Sequence, residues 1–266
     1  MAADTLPVLS GVLRDQRRSL AMWGLALAAV SAMYIGFYPA MGETSDIDAF
    51  VRNMPEGLVE AMGYDEMATP AGYLRSTVYG LLAPALLLVF AIGAGARLIA
   101  GQEEDGTLEL ELTSPVARTR LVFGRILALW VDVVILVAVV ALATLALVTA
   151  LDMELGADKI LAAATGLLLL VLGFGTIALA VGAATGRRAY GLAVAAGLAV
   201  VAFMFDAIGP AIGVDWMTTV SPFSWYIEPN PLAEGVDPGG FALLAAVPVV
   251  AAVLGLLTFD RRDLMV

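Results

Sequence analysis

The chain has 266 residues, of which 61% are apolar and only 15% charged, with a mean hydropathy of +0.91; a soluble domain carries about a quarter charged residues. It contains no cysteine and no histidine, which excludes a disulfide framework, a thiol nucleophile and any imidazole-based metal or acid–base site; no metal site is expected. The net charge of -11 offers no basic surface to a nucleic acid.

The apolar residues fall in long blocks, and the charged residues that punctuate them count the membrane crossings. At the N-terminus, Leu6, Leu9 and Leu13 recur at spacings of three and four, flanked by Val8 and Val12, with Arg14, Arg17 and Arg18 following. This pattern predicts an amphipathic helix over 5–18, lying in the membrane interface. Uncharged runs of 24, 21, 19, 27, 17 and 22 residues then follow Arg18, Arg75, Asp132, Lys159, Arg188 and Asp237. Crossing the hydrocarbon core takes about 20 apolar residues, so six spans are predicted, over 19–39, 76–96, 127–150, 160–184, 189–210 and 239–259. The first is too long for the apolar region of a signal peptide. Pro84 and Pro248 fall inside spans, where neighbouring helices can satisfy the carbonyls they free. The fold class is all-α integral membrane, a single transmembrane domain over 1–266.

Eleven of the fourteen basic residues lie in the N-terminus, the loop from Arg97 to Arg125, the Arg187–Arg188 turn and the C-terminus. Their excess marks these segments as cytoplasmic, with both termini inside. The opposite loops hold fourteen acids against Arg52, Arg75 and Lys159. Such an acidic outer surface would suit a prokaryote of a high-salt habitat.

In chain order, 40–72 is an acidic outer segment in which Met54, Leu58, Met62 and Met67 form a short stripe suited to packing on the bundle. The cytoplasmic stretch 101–125 reads GQEEDGTLELELTSPVARTRLVFGR. Glu103, Glu104 and Asp105 precede Gly106 and Thr107, and Thr107 can cap a helix that opens with Glu109 and Glu111. Pro115 ends that run, and Arg118, Arg120 and Arg125 lead into the third span. The result is a charged elbow between two spans; on its own the acidic run reads more readily as a solvated turn. Asp132 follows Arg125 by seven residues on the same helical face and is a candidate ion-pair partner near the inner interface. The fourth span carries Gly166, Gly173, Gly175, Gly182 and Gly186, a signal for close helix packing. Asp206, at the end of its apolar run, is expected near the outer interface. The outer loop 214–238 interleaves Trp216, Phe223, Trp225 and Tyr226 with Pro222, Pro229 and Pro231, as an interfacial aromatic belt would.

Glu104, Gly106, Thr107, Leu108 and Glu109, followed by Pro115, Val116, Arg118, Arg120, Gly124 and Arg125, resemble the elbow of the ABC type 2 exporter permease family, with Gln102 standing where the family pattern has its first acid. The resemblance extends over the chain: an interfacial helix, six spans, the outer loop SPFSWYIEPNPL and the basic C-terminus FDRRDL. It implies a non-enzymatic transport subunit whose elbow, Glu103 to Thr107 with Glu109, Arg118 and Arg120, docks a separate ATPase. It further implies an outer gate at Pro222, Phe223, Trp225 and Tyr226, pairing with a second copy or a sister permease, and an amphiphilic cargo such as a drug, antibiotic or lipid; Asp206, an acid at the edge of a span, is a pathway or gate candidate by its own chemistry. ATP and Mg2+ would belong to the partner subunit, because this chain has no GxxxxGK[ST] phosphate loop. A secondary transporter is the alternative, although Pro84 and Pro248 do not sit in matching positions of two repeats. A membrane-embedded enzyme would need clustered polar groups at membrane depth that the spans lack.

Overall fold

The computed structural model describes residues 5–42, 69–106 and 118–261, and the described residues form helices and turns without a strand. The helices are α1 (Thr5–Gly42), α2 (Pro70–Glu104), α3 (Arg118–Ala150), α4 (Ala157–Thr185), α5 (Arg188–Ile212), α6 (Asp215–Val220), α7 (Pro222–Ile227) and α8 (Pro238–Asp260). Six of these, α1 to α5 and α8, are long and apolar enough to cross a membrane. The residues expected to form a separate interfacial helix run into the first span as one uninterrupted helix. The stripe at 6–13 lies outside the described side chains, and the methionine stripe of the outer segment lies outside the described residues.

Three helices begin with the same local grammar, a capping oxygen followed by proline, which carries no amide proton to leave unsatisfied. Thr69 Oγ1 accepts from the Gly72 amide before Pro70 (3.1 Å). Ser221 Oγ accepts from the Phe223 amide before Pro222 (3.2 Å). Asp237 Oδ2 accepts from the Gly240 amide before Pro238 (2.6 Å).

The bundle is organised around α4, which packs against α2, α3, α5 and α8, while α1 lies mainly on α3. Lipid tails are as apolar as the side chains, so helices in a bilayer associate through close van der Waals contact rather than hydrophobic exclusion. The glycines of α4 and its neighbours permit that contact. A Cβ on Gly95 would fall on the Gly175 carbonyl, and one on Gly191 would stand 2.7 Å from the Ala178 carbonyl. Gly182 faces Ala100 in the same way, at 3.3 Å. Spans two, four and five are thereby pressed backbone to backbone over one half of the bundle.

Helix α2 departs from α geometry twice, with π-helical turns over Arg75–Leu82 and Arg97–Gly101. In the first, Ser76 and Thr77 hydroxyls bond back to the carbonyls of Gly72 and Tyr73 (2.7 and 2.6 Å), a competition with backbone donors that loosens a helix.

Candidate functional site

The elbow begins where α2 ends. The Asp105 amide bonds to the Gly101 carbonyl and the Gly106 amide to the Glu103 carbonyl, and Gly106 takes φ +68, the left-handed conformation in which glycine ends a helix without strain. Glu103, Glu104 and Asp105 stand on this last turn. Glu104 reaches across the bundle: its Oε1 accepts from the Arg188 amide at 2.9 Å, over a sequence separation of 84. Arg188 is the first residue of α5, preceded by Arg187 in extended geometry and by Gly186 in left-handed geometry. The carboxylate thus occupies the positive end of the α5 dipole and satisfies an amide that the helix itself cannot. Sequence reasoning selected Glu104 but not this contact, for which no local signal exists. Arg118 opens α3 and Arg120, half-buried, follows on its first turn; Thr107 and Glu109 lie outside the described residues.

Beneath the elbow, Arg125 is fully buried and donates through Nη1 to the carbonyl of Leu98, inside the second π turn of α2. The ion pair expected between Arg125 and Asp132 is not formed: Asp132 has no exposed surface, and neither carboxylate oxygen has a hydrogen-bond partner among the described residues. The guanidinium reaches instead to the neighbouring helix, where the Leu98 carbonyl accepts from it. The level of Asp132 within the bundle follows from the helix register. Trp130 donates to Thr176 Oγ1 at 3.0 Å, and Thr176 is 19 residues along α4 from Ala157, about 28 Å at 1.5 Å per residue. Gly24 of α1 packs beside Leu136 and Val139, which brings Arg17 and Arg18 to the level of Asp132.

Between α2 and α5 lies a cavity of about 420 Å³, lined by Gly80, Leu81, Pro84, Leu88, Val89, Ile92 and Gly93 on one side and by Leu192, Ala196, Ala199, Val200 and Phe203 on the other. Phe223 of α7 also lines it, meeting Phe203 edge to face at 5.5 Å and Phe174 at a tilt at 6.1 Å. The wall carries no ionisable side chain, so it suits an apolar or amphiphilic molecule rather than an ion.

The outer loop forms two short helices, α6 and α7, folded into the bundle. Ser221 Oγ donates to the Ala202 carbonyl (2.8 Å), Ser224 Oγ to Asp206 Oδ1 (2.7 Å), and Trp225 Nε1 to the Thr219 carbonyl (2.8 Å). Tyr226 is 1% exposed and donates to the Tyr79 carbonyl at 2.9 Å. Tyr79 lies nine residues inside the start of α2, about 14 Å along the axis, so α7 packs alongside α2 rather than beyond its end. The predicted outer-gate residues are therefore brought together: Asp206, Pro222, Phe223, Trp225 and Tyr226 all belong to one α5–α7 assembly. Sequence reasoning missed Ser221, Ser224 and Arg75, which complete it.

Arg75, Asp206 and Glu228 are close enough to feel one another's charge. Burial raises the Glu228 pKa, the Asp206 carboxylate raises it further, and Arg75 opposes both. A raised folded-state value means stability present below the unfolded pKa, about 4.3, and lost as pH climbs through the folded value. The outer helices are accordingly expected to loosen as external pH rises from about 4 toward neutrality, followed through Trp225 fluorescence. Glu228→Gln should flatten that response, and an unchanged profile would assign it to another group.

These features define a polytopic α-helical protein with six helices long and apolar enough to cross a membrane, a charged elbow, an apolar groove and two short helices folded against the bundle. The model of the ABC-2 family transporter proteins matches residues 9–264, and the chain belongs to that family. A search among curated proteins returned no match.

Proposed function

We propose that the chain is the permease subunit of an ATP-driven exporter in the cell membrane, worked by a separate ATPase subunit that binds ATP and Mg2+. The observation that carries this reading is the Glu104–Arg188 contact. It ties the elbow to the first residue of the helix that forms one wall of the groove, so a push on the elbow is delivered to α5 as well as to α2. Glu103, Asp105, Gly106, Arg118 and Arg120 belong to the docking surface with it, as do Thr107 and Glu109 by their place in the motif. The cargo is an amphiphile such as a drug, antibiotic or lipid, which the uncharged lining of the groove favours. Two permeases, as a homodimer or with a sister chain, complete the pathway, because six helices enclose only half of one.

Glu104→Ala removes an exposed charge-assisted bond at a helix start, worth about 0.3–1 kcal/mol. It is expected to lower vanadate-sensitive ATP hydrolysis and export about twofold to fivefold while the ATPase still co-purifies. Unchanged hydrolysis and export in that variant would remove the elbow from the coupling path. Gradient-driven transport by the purified chain alone would overturn the ATPase partnership itself.

A further inference from the structure

The contact between α7 and α2 rests on a defect in the α2 hydrogen-bond ladder. In the first π turn the Ala83 amide bonds to the Val78 carbonyl, five residues back. The next donor in that register would serve Tyr79, but residue 84 is proline and has no amide proton. A carbonyl freed inside a span must find a partner from elsewhere in the protein. The partner is the hydroxyl of Tyr226, 147 residues away. Two glycines shape the joint. A Cβ on Gly166 would stand 2.8 Å from Tyr226 Cδ2, so glycine there admits the ring, and a Cβ on Gly80 would fall on the Arg75 carbonyl, so glycine there permits the π turn.

We propose that Tyr226 is the positioning residue of an outer latch that senses the helical register of α2. In the π register proline leaves the Tyr79 carbonyl unserved, and Tyr226 holds α7 down. In an α register the carbonyl left unserved by Pro84 is that of Gly80, four residues back and turned about 100° around the helix. Tyr226 then loses its acceptor and α7 is released. Gly80, Pro84 and Phe223 all line the groove, so the register of one turn sets both the shape of the groove wall and the closure of its outer end. This inference rests on the groove being part of the export path.

The chain has no native cysteine, so a single Ala199→Cys in the groove wall reports its accessibility. The assay is labelling by a membrane-impermeant maleimide added outside, on the full complex in native membrane without nucleotide. Tyr226→Phe keeps the ring and removes only the donor; it is expected to raise the labelling rate about tenfold, the effect of one net buried hydrogen bond. Gly80→Ala should do the same by forcing the turn out of the π register. Pro84→Ala restores an amide donor, so adding Tyr226→Phe on top of it should change little. Parent-rate labelling in Tyr226→Phe overturns the latch. An equal effect of Tyr226→Phe with and without Pro84→Ala also overturns it, because a merely structural tyrosine would act independently of residue 84. ATP-driven export measured on the same membranes separates the two readings: export with unchanged labelling removes the latch alone, whereas altered labelling without any export removes the exporter.

Discussion

Gly95→Leu is expected to prevent assembly of the bundle, whereas Gly93→Leu, two residues earlier, leaves it folded. A side chain at Gly95 meets backbone on every near approach: the Gly175 carbonyl and, at 3.2 Å, the Leu179 amide nitrogen. Neither can rotate away as a flexible side chain would, so α2 and α4 must separate along their tightest contact. Overpacking costs about 1–3 kcal/mol even where side chains can adjust, and here the loss should exceed about 3 kcal/mol because backbone must move. Gly93 has nothing within 4 Å of its missing Cβ and borders the groove. Leucine there fills part of the cavity and should reduce export without lowering the thermal midpoint. Yield of monodisperse protein in detergent and its unfolding temperature decide the matter, and parent-like assembly of Gly95→Leu would show that the α2–α4 contact is not the organising one.

Arg125→Met should destabilise the protein by about 2–3 kcal/mol, the range for a buried bond to a charged group, and expose the elbow to proteolysis. Arg125 has no exposed surface and joins α3 to the Leu98 carbonyl within the second π turn of α2. Methionine fills much of the same volume but leaves that carbonyl without its guanidinium donor. Lysine is not expected to rescue, since a point ammonium on a flexible stem lacks the planar fork of the guanidinium. Thermal unfolding measures the stability, and the rate of protease cleavage between residues 102 and 117 reports the elbow. Cleavage at the parent rate in Arg125→Met would mean that the elbow is anchored elsewhere.

The crossings were legible because charge is so costly at membrane depth that charged residues delimit them almost alone. The Thr69–Pro70, Ser221–Pro222 and Asp237–Pro238 helix starts carry a signal confined to four residues, but charge and hydropathy alone placed the second span at 76 and read 214–238 as a belt. The π turns left no such trace: the first depends on the bare Cα of Gly80 against the Arg75 carbonyl and on hydroxyls bonding backward, and hydropathy registers neither. Long-range partners were equally hidden. Glu104 could be singled out from its motif, but the Arg188 amide it serves lies beyond two further spans. The Arg125–Asp132 pairing failed for a related reason, because a shared face gives proximity along one helix and says nothing of an acceptor on the next.

The backbone contact between Gly95 and Gly175 gives α2 the proportions of an unequal beam. Glu104 stands nine residues to one side of that contact and Gly80 fifteen residues to the other, arms of about 14 and 22 Å. If the glycine contact is the fulcrum, a sideways displacement of the elbow is magnified about one and a half times at the groove wall. Small movements at the elbow are then large at the end that α7 covers.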